Sequence, residues 1–154
     1  MFEDEQGIFW VGTHGYGLNR YDRVRSTFTR FTSNPGDETS ISDNFINVIR
    51  QDADGNLWVG TINGLNKFNP DSETFTRYTT NDGLPNNVIY GIIVDYRGHL
   101  WLSTNNGIAD FDPETGDVRI YDRGDGLPSN EYRFGAFHKG VDGTMYFEIG
   151  RAHV

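Results

Sequence analysis

The sequence predicts an all-β fold built from repeated units of four short antiparallel strands. One apolar phrase occurs three times, at residues 7–13, 55–61 and 98–104, and each copy contains a tryptophan. Apolar and polar residues alternate within these phrases with a period of two, which is typical of strands. Turn-forming pairs such as Asp54-Gly55 separate the alternating runs, as tight hairpins require. The chain shows no stripe with the 3.6-residue periodicity of an amphipathic helix.

Each unit contains four phrases in the same order. The tryptophan phrase is followed by a phrase that begins with Gly-Leu or Gly-Ile, at residues 17–22, 64–69 and 107–112. The third phrases lie at residues 28–31, 75–78 and 118–121. A fourth apolar stretch begins after three asparagines that are 43 residues apart, Asn44, Asn87 and Asn130. Each phrase has the length of one short strand, so a complete unit is predicted to hold four strands.

Units of this length are typical of β-propeller blades, which contain four strands in roughly 40 to 50 residues. We assign a partial blade of three strands to residues 1–43, complete blades to residues 44–86 and 87–129, and the start of a further, last blade to residues 130–147. Because a propeller closes with about four to eight blades, we expect a β-propeller fragment with two complete and two partial blades. Residues 148–154 break the repeat and match the translation of a common sequencing adapter, so we set them aside as a scar.

Apolar side chains that recur at one place in each unit are expected to pack between neighbouring sheets. The expected core residues are Trp10, Trp58, Trp101, Leu65, Ile108, Leu84 and Leu127. Exposed tryptophans can also stack on sugars, but repetition at one structural position favours packing, since each large ring buries much area.

One end of the predicted blades carries candidate ligand-binding residues. The turns that join the second and third strands emerge at this end, together with the linkers between blades, and propellers usually bind ligands there. The candidates are His14, Tyr16, Asn63, Asn105 and Asn106. Their donors, acceptors and ring faces suit neutral polyhydroxylated ligands, although such residues also simply form turns. Tyr90 and Arg133 would face the central channel if the first strand is innermost.

Composition excludes several classes of function. The 154 residues contain 13 Lys and Arg against 22 Asp and Glu, which gives a net charge of -9. Nucleic acid is not an expected partner, because phosphate binding needs clustered basic residues and Lys67 and Lys139 are isolated. The absence of cysteine excludes disulfides and thiolate chemistry. The histidines lack the spacing of metal ligands, so we expect no metal site, no cofactor and no catalytic residues.

The repeats resemble those of the two-component regulator propeller family. The resemblance is carried by Asp52, Gly55, Leu57 and Trp58 together with the linker Asp-Gly-Leu-Pro-Asn-Asn at residues 82–87, and both patterns recur in the next unit. The first unit departs from the pattern, because it has an inserted tyrosine and a different linker. In this family the blades form the sensor region of bacterial hybrid two-component histidine kinases.

The resemblance implies a non-catalytic, ligand-sensing propeller. By that resemblance the chain would lie on the periplasmic side of an inner-membrane receptor, sense carbohydrate-derived signals such as oligosaccharides and contribute to control of a phosphorelay. The parent receptor would be a homodimer with further propeller blades and a downstream immunoglobulin-like three-tyrosine domain.

Two alternatives stay open, because fold does not fix function. A propeller enzyme, such as a metal-dependent lactonase or lyase, would use the same blade shape but would need acidic, amide or imidazole ligands from several blades. A cytosolic scaffold of the WD40 or kelch kind is less consistent with the sequence, which lacks the Trp-Asp and Gly-Gly signatures of those repeats.

Overall fold

The structure, a computed structural model, describes residues 1–149, and the segment set aside in the sequence, 148–154, lies largely outside them. Sheet 1 contains β1 (Phe2–Glu3), β2 (Phe9–Gly12), β3 (Leu18–Asp22) and β4 (Thr27–Phe31). Sheet 2 contains β5 (Ile46–Gln51), β6 (Leu57–Thr61), β7 (Gly64–Asn69) and β8 (Thr74–Tyr78). Sheet 3 contains β9 (Ile89–Val94), β10 (Leu100–Thr104), β11 (Gly107–Phe111) and β12 (Val118–Tyr121). Sheet 4 contains β13 (Tyr132–Lys139) and β14 (Met145–Ile149).

The topology confirms the prediction of an all-β propeller of antiparallel blades. In every sheet the strands follow one another in chain order and pair antiparallel, so each connection within a sheet is a hairpin. The first sheet differs from the sequence interpretation, because the two-residue strand β1 pairs with β2 and gives this sheet four strands rather than three. Helical structure in residues 1–149 consists of two short 3-10 turns, Thr80–Asp82 and Arg123–Asp125. Neither has the length or the apolar character that a membrane-spanning helix needs.

The first strands of sheets 2, 3 and 4 lie innermost, where strands from successive sheets approach one another. Strand β5 contacts β9, and β9 in turn contacts β13. Glycine on the second strand permits this approach: a Cβ atom on Gly60 would lie 2.8 Å from the Cγ2 atom of Ile89. Gly12 has the same relation to Ile46 of the next sheet. A side chain at either glycine would therefore push neighbouring sheets apart.

Two apolar cores fill the spaces between successive sheets. The first lies between sheets 1 and 2, where the Trp10 ring meets the edge of Phe68 with ring centroids 5.1 Å apart. The second lies between sheets 2 and 3, where Trp58 meets Phe111 at 5.8 Å. Trp10 and Trp58 thus both pack against the third strand of the following sheet. Such contacts between consecutive sheets are the unit of stability in repeat proteins.

The residues expected in the core are buried to different extents. Five are buried: Trp10, Trp58, Leu65, Ile108 and Leu84. Trp101 and Leu127 are half-buried, and both line a cavity of about 340 Å³ beside sheet 4. They face a sheet that contributes two strands within residues 1–149, so less surface covers them than covers their counterparts.

Each tryptophan is bound by an aspartate six residues before it. The indole Nε1 atoms of Trp10, Trp58 and Trp101 donate to the Oδ2 atoms of Asp4, Asp52 and Asp95, at 2.8, 2.7 and 3.1 Å. The other carboxylate oxygen accepts backbone N–H groups of the turn that follows. In sheet 2, Asp52 Oδ1 accepts from the N–H of Asp54 at 3.1 Å and from that of Asn56 at 2.8 Å. One carboxylate therefore closes the hairpin turn and orients the core ring.

The corresponding turn of sheet 4 keeps the backbone arrangement without this side-chain pair. Gly140 stands in place of the aspartate and Tyr146 in place of the tryptophan. The N–H of Gly143 still donates to the carbonyl of Gly140 at 3.0 Å, as the N–H of Gly55 donates to that of Asp52 at 3.1 Å. The backbone turn thus forms without the carboxylate, whose added contribution is to hold the ring.

The carboxyl group of Asp95 shows how strongly these hydrogen bonds favour the charged form. Burial by itself would raise the pKa of Asp95, but hydrogen bonds from Arg97, Trp101 and the backbone of the turn outweigh it and lower the pKa below its ordinary value. The Arg97 guanidinium donates to Asp95 Oδ2 at 2.7 Å. Folding is therefore linked to ionisation of this group.

We predict that Asp52→Ala destabilises the protein by about 3 kcal/mol, because it leaves the buried Trp58 N–H and two turn N–H groups without their acceptor. Urea unfolding followed by tryptophan fluorescence measures the loss. Asp142→Ala is the matched control: its carboxylate accepts the N–H of Thr144 at 3.0 Å but binds no tryptophan, so little change is expected. Equal losses for the two variants would contradict the role assigned to the Asp52–Trp58 pair.

We predict that the stability advantage of the wild type over Asp95→Asn depends on pH. Because the folded-state pKa is lowered, the contribution of Asp95 is fully present above its unfolded-state value of about 3.9 and is lost as the pH falls through the folded-state value. Unfolding midpoints compared between pH 7 and pH 2 measure this. Asp54→Asn removes an exposed carboxylate from the neighbouring sheet's turn and serves as the control; a constant difference for Asp95→Asn across this range would refute the linkage.

Candidate ligand-binding face

The candidate site is the end of the sheets where the second strand turns into the third. In sheet 2 this turn is held by Thr61, whose hydroxyl donates to the carbonyl of Gly64 and accepts the N–H of Asn63, both at 3.0 Å. Thr104 makes the same two bonds in sheet 3, at 2.9 and 3.0 Å. The threonine hydroxyl thus holds the turn by two hydrogen bonds, and the two residues between the threonine and the glycine are exposed.

The first sheet has the same turn with one extra residue. Thr13 donates to the carbonyl of Gly17 at 2.8 Å and accepts the N–H of Tyr16 at 3.2 Å. The inserted residue widens the turn, and the Tyr16 side chain is 71% exposed. Sheet 1 therefore presents an aromatic ring where sheets 2 and 3 present asparagine.

The glycine at the end of each turn is required by both its backbone angle and its surroundings. Gly64 has φ of 129° and Gly107 has φ of 98°, a region that L-residues with a side chain rarely adopt. A Cβ atom on Gly64 would also lie 2.8 Å from the carbonyl oxygen of Tyr78. A residue with a side chain at either position would therefore be strained, and the turn conformation depends on these glycines together with the threonine hydrogen bonds.

The three asparagines spaced 43 residues apart connect these turns to the linkers between sheets. Asn87 accepts the N–H of Gly64 at its backbone carbonyl, at 2.7 Å, and the N–H of Thr80 at its side-chain oxygen, at 2.9 Å. Asn130 does the same with Gly107 and Arg123, at 2.7 and 2.8 Å. One residue type thus binds the turn of one sheet and the linker that leads to the next.

The linkers are ordered by short capped turns. Thr79 and Asp82 form a reciprocal capping box around Thr80–Asp82, and Gly83 ends the turn in the left-handed conformation with φ of 100°. Asp122, Asp125 and Gly126 repeat this arrangement around Arg123–Asp125. In the Asp-Gly-Leu-Pro motif, the aspartate is therefore the last residue of a 3-10 turn and the glycine is its C-cap. The leucine follows the cap, and Leu84 is buried.

The predicted ligand-binding residues occupy this end of the sheets. Their side chains are exposed, and they lie on three successive turns: His14 and Tyr16 on the first, Asn63 on the second, Asn105 and Asn106 on the third. Asn106 Nδ2 donates to the carbonyl of Pro85 at 3.3 Å, which ties its turn to the preceding linker. Their role in binding a ligand stays a prediction.

His14 is placed beside residues of the inner strands. Its ring stacks on Phe45 with centroids 6.0 Å apart, and it pairs with that residue as an isolated bridge. His14 lines a cavity of about 320 Å³ together with Asn47, Arg50 and Phe137. The structure therefore connects the candidate turns to the inner face of the propeller through this histidine.

Sequence reasoning missed Asn47 and Arg50. Both are half-buried residues of β5, and their polar character beside the buried Ile46, Val48 and Ile49 is the signal that could have identified them. Asn47 Nδ2 donates to the carbonyl of Ile89 at 3.0 Å, across to the next inner strand. Tyr90 and Arg133 do lie on the innermost strands, as expected, and Arg133 is exposed.

The opposite end of sheet 3 carries a network of ion pairs. Asp110 accepts from His99 Nδ1 at 2.7 Å and from Arg97 at 3.2 Å. The pKa of the nearby Asp112 is lowered, chiefly by the backbone N–H of Glu114. Within residues 1–149, no group of three or more His, Asp or Glu side chains is arranged to hold a metal ion.

Comparison with known proteins gives matches at the level of both sequence and structure. The two component regulator propeller family model matches residues 40–63 and 83–106, which include the inner strands and tryptophan strands of sheets 2 and 3. No curated protein matches the chain. The extracellular domain of a hybrid two component system from B. thetaiotaomicron is similar over 95% of this chain, with 29% identity and a TM-score of 0.82.

Two further solved structures share the fold. The extracellular domain of a second hybrid two component system from B. thetaiotaomicron is 23% identical over 96% of this chain, with a TM-score of 0.77. A catalytically inactive virginiamycin B lyase from Staphylococcus aureus is 20% identical over 95% of the chain, with a TM-score of 0.70, and the chain spans 46% of its length. The chain spans about a fifth of each extracellular domain, 19% and 21% respectively.

We predict that Asn87→Ala destabilises the protein by about 1 kcal/mol, because the linker loses the hydrogen bond from the N–H of Thr80 that attaches it to the turn. Asn86→Ala is the control, since the Asn86 side chain accepts only from the N–H of Val88 two residues away, at 2.8 Å. Chemical unfolding compares the two variants. A loss for Asn86→Ala as large as that for Asn87→Ala would show that the linker attachment is not the cause.

Proposed function

We propose that this chain, which carries two component regulator propeller repeats, is part of the ligand-sensing domain of a bacterial hybrid sensor histidine kinase. The observation that carries the proposal is its similarity to the extracellular domain of a hybrid two component system, at 29% identity and a TM-score of 0.82. By this proposal the chain lies outside the inner membrane, in the periplasm, and is itself non-catalytic.

Carbohydrate-derived signals are the proposed ligands. The exposed turns supply amide, hydroxyl and imidazole groups from Asn63, Asn105, Asn106, Tyr16 and His14. Sugars are recognised by paired donors and acceptors together with an aromatic surface, and these side chains provide both. The hydrogen bonds of Thr13, Thr61 and Thr104 hold the turns beneath them, which would lower the entropic cost of presenting these groups.

Signalling requires that the ligand bind one receptor state more tightly than another. We propose that the parent receptor is a homodimer, in which further blades and an immunoglobulin-like three-tyrosine domain connect this propeller to the kinase. An oligosaccharide that bound across several turns would change the position of the blades relative to that domain. Phosphotransfer itself would take place elsewhere in the polypeptide.

The competing function is that of a propeller lyase or lactonase. The similarity to virginiamycin B lyase, at 20% identity, concerns the fold alone. Metal-dependent turnover by the intact parent protein would favour this alternative and contradict the sensing role.

We predict that a panel of oligosaccharides contains at least one that raises the melting temperature of the intact extracellular domain, since a ligand at 100 times its Kd adds about 2.7 kcal/mol of stability. Tyr16→Ala should raise the Kd for that ligand about tenfold, as expected for loss of a stacking ring. Tyr96→Ala is the matched control, because Tyr96 is 93% exposed on a turn at the opposite end of sheet 3.

Autophosphorylation of the full-length receptor provides the functional readout. The same oligosaccharide should change the rate of autophosphorylation, and Tyr16→Ala should shift the response to higher ligand concentration. If the whole panel leaves both melting temperature and autophosphorylation unchanged, the carbohydrate-sensing proposal fails.

A further inference from the structure

Two cavities on the inner face of the propeller are lined by basic side chains and by no acidic ones among the described residues, although the protein as a whole has a net charge of -9. Two adjoining cavities, of about 320 and 300 Å³, lie along the inner strands, and Arg50 and Phe137 line both. The first also contains His14, and the second also contains His138 and Lys139. No Asp or Glu of the described residues lines either cavity.

Arg50 is the central charge of this face, and it is half-buried. Its Nη1 atom donates to the carbonyl of Ile49 at 2.7 Å, and its guanidinium lies 5.0 Å from the centre of the Phe137 ring. These two contacts hold the planar group in one orientation but use one of its five N–H donors. Among residues 1–149, Arg50 forms no ion pair, whereas carboxylates bind Arg20, Arg23, Arg25 and Arg97.

The surroundings of Arg50 favour an anionic partner. Burial lowers the pKa of Arg50, which reflects the cost of holding its charge away from water. An anion that enters the cavity would offset this cost, because carboxylates and sulfates accept two parallel N–H bonds from one guanidinium. Asn47 lies in the same cavity, and Lys139 lies in the adjoining one, where its Nζ atom donates to the carbonyl of Val94 at 2.7 Å.

We propose that the Arg50 cavities bind a carboxylate or sulfate group of the sensed ligand, so that this ligand is an acidic oligosaccharide. The turn residues would bind its hydroxyl groups, and the inner face would bind its charge. His14 lies where the two surfaces meet, on a turn and in the first cavity. The inference rests on the proposed sensing function for the sugar part of the ligand, but the anion site stands on the charges and cavities alone.

Inorganic sulfate is the first probe, added to the intact extracellular domain at constant ionic strength with chloride as the exchanged ion. We expect the ¹⁵N signal of the Arg50 Nε atom to shift and saturate with sulfate. Arg50→Gln should weaken sulfate binding about tenfold, the value of one charge-assisted hydrogen bond. Arg119→Gln is the matched control, because Arg119 is an exposed arginine of the outer strand β12.

An Arg50 signal that does not saturate with sulfate would overturn the anion site. An equal loss of sulfate affinity in Arg50→Gln and Arg119→Gln would overturn it too. The wild-type signal decides the question even if Arg50→Gln fails to fold. Arg50→Lys then serves as the second variant: it keeps the charge but loses the fork of donors, so a several-fold weakening is expected.

A matched pair of disaccharides separates this inference from the proposed function. One contains glucuronate, and the other contains glucose at the same position. If the glucuronate disaccharide binds more tightly than the glucose one, and Arg50→Gln abolishes the difference, both the acidic ligand and the sensing function are supported. Binding of the neutral disaccharide with equal affinity in wild type and Arg50→Gln would keep the sensing function and overturn the acidic ligand. Sulfate binding at Arg50 without binding of either disaccharide would keep the anion site and count against carbohydrate as the ligand.

Discussion

The hydrogen bond from a tryptophan indole to an aspartate six residues earlier is the interaction on which the rest of this structure depends. It joins the turn between the first two strands to the core between sheets, so that local folding of a hairpin orients the ring that the next sheet packs against. Sheet 4 shows that the turn itself does not need the pair. With Gly140 and Tyr146 in its place, the N–H of Gly143 still donates to the carbonyl of Gly140.

A second constraint passes along the chain from sheet to sheet. The linker asparagines bind both the turn of the preceding sheet and the linker itself, and the small second-strand glycines let the inner strands approach closely. Together these features set the spacing of successive sheets. Because the same contacts fix the turns on which the candidate ligand-binding residues lie, stability and ligand presentation are linked in this fold.

Charge is distributed unevenly over this framework. Carboxylates bind tryptophan in the turns and pair with Arg97 and His99 in sheet 3, whereas the two cavities at Arg50 are lined by basic side chains and by no acidic ones among the described residues. Composition alone, with its excess of Asp and Glu, argued against nucleic acid as a partner. The arrangement of the charges gives the inner face the opposite character, because electrostatic interactions depend on local distance and burial rather than on net charge.

The sequence by itself determined the all-β class, the four-stranded hairpin units and the family resemblance, because strand periodicity, turn glycines and the repeated tryptophan phrase are local features. It did not reveal β1, a two-residue strand too short to show a period, nor the half-burial of Trp101, which depends on the sheet opposite. The tertiary structure alone brought His14 beside Asn47, Arg50 and Phe137, residues from three sheets. Such a grouping has no local pattern, since it arises only when the inner strands of separate sheets converge.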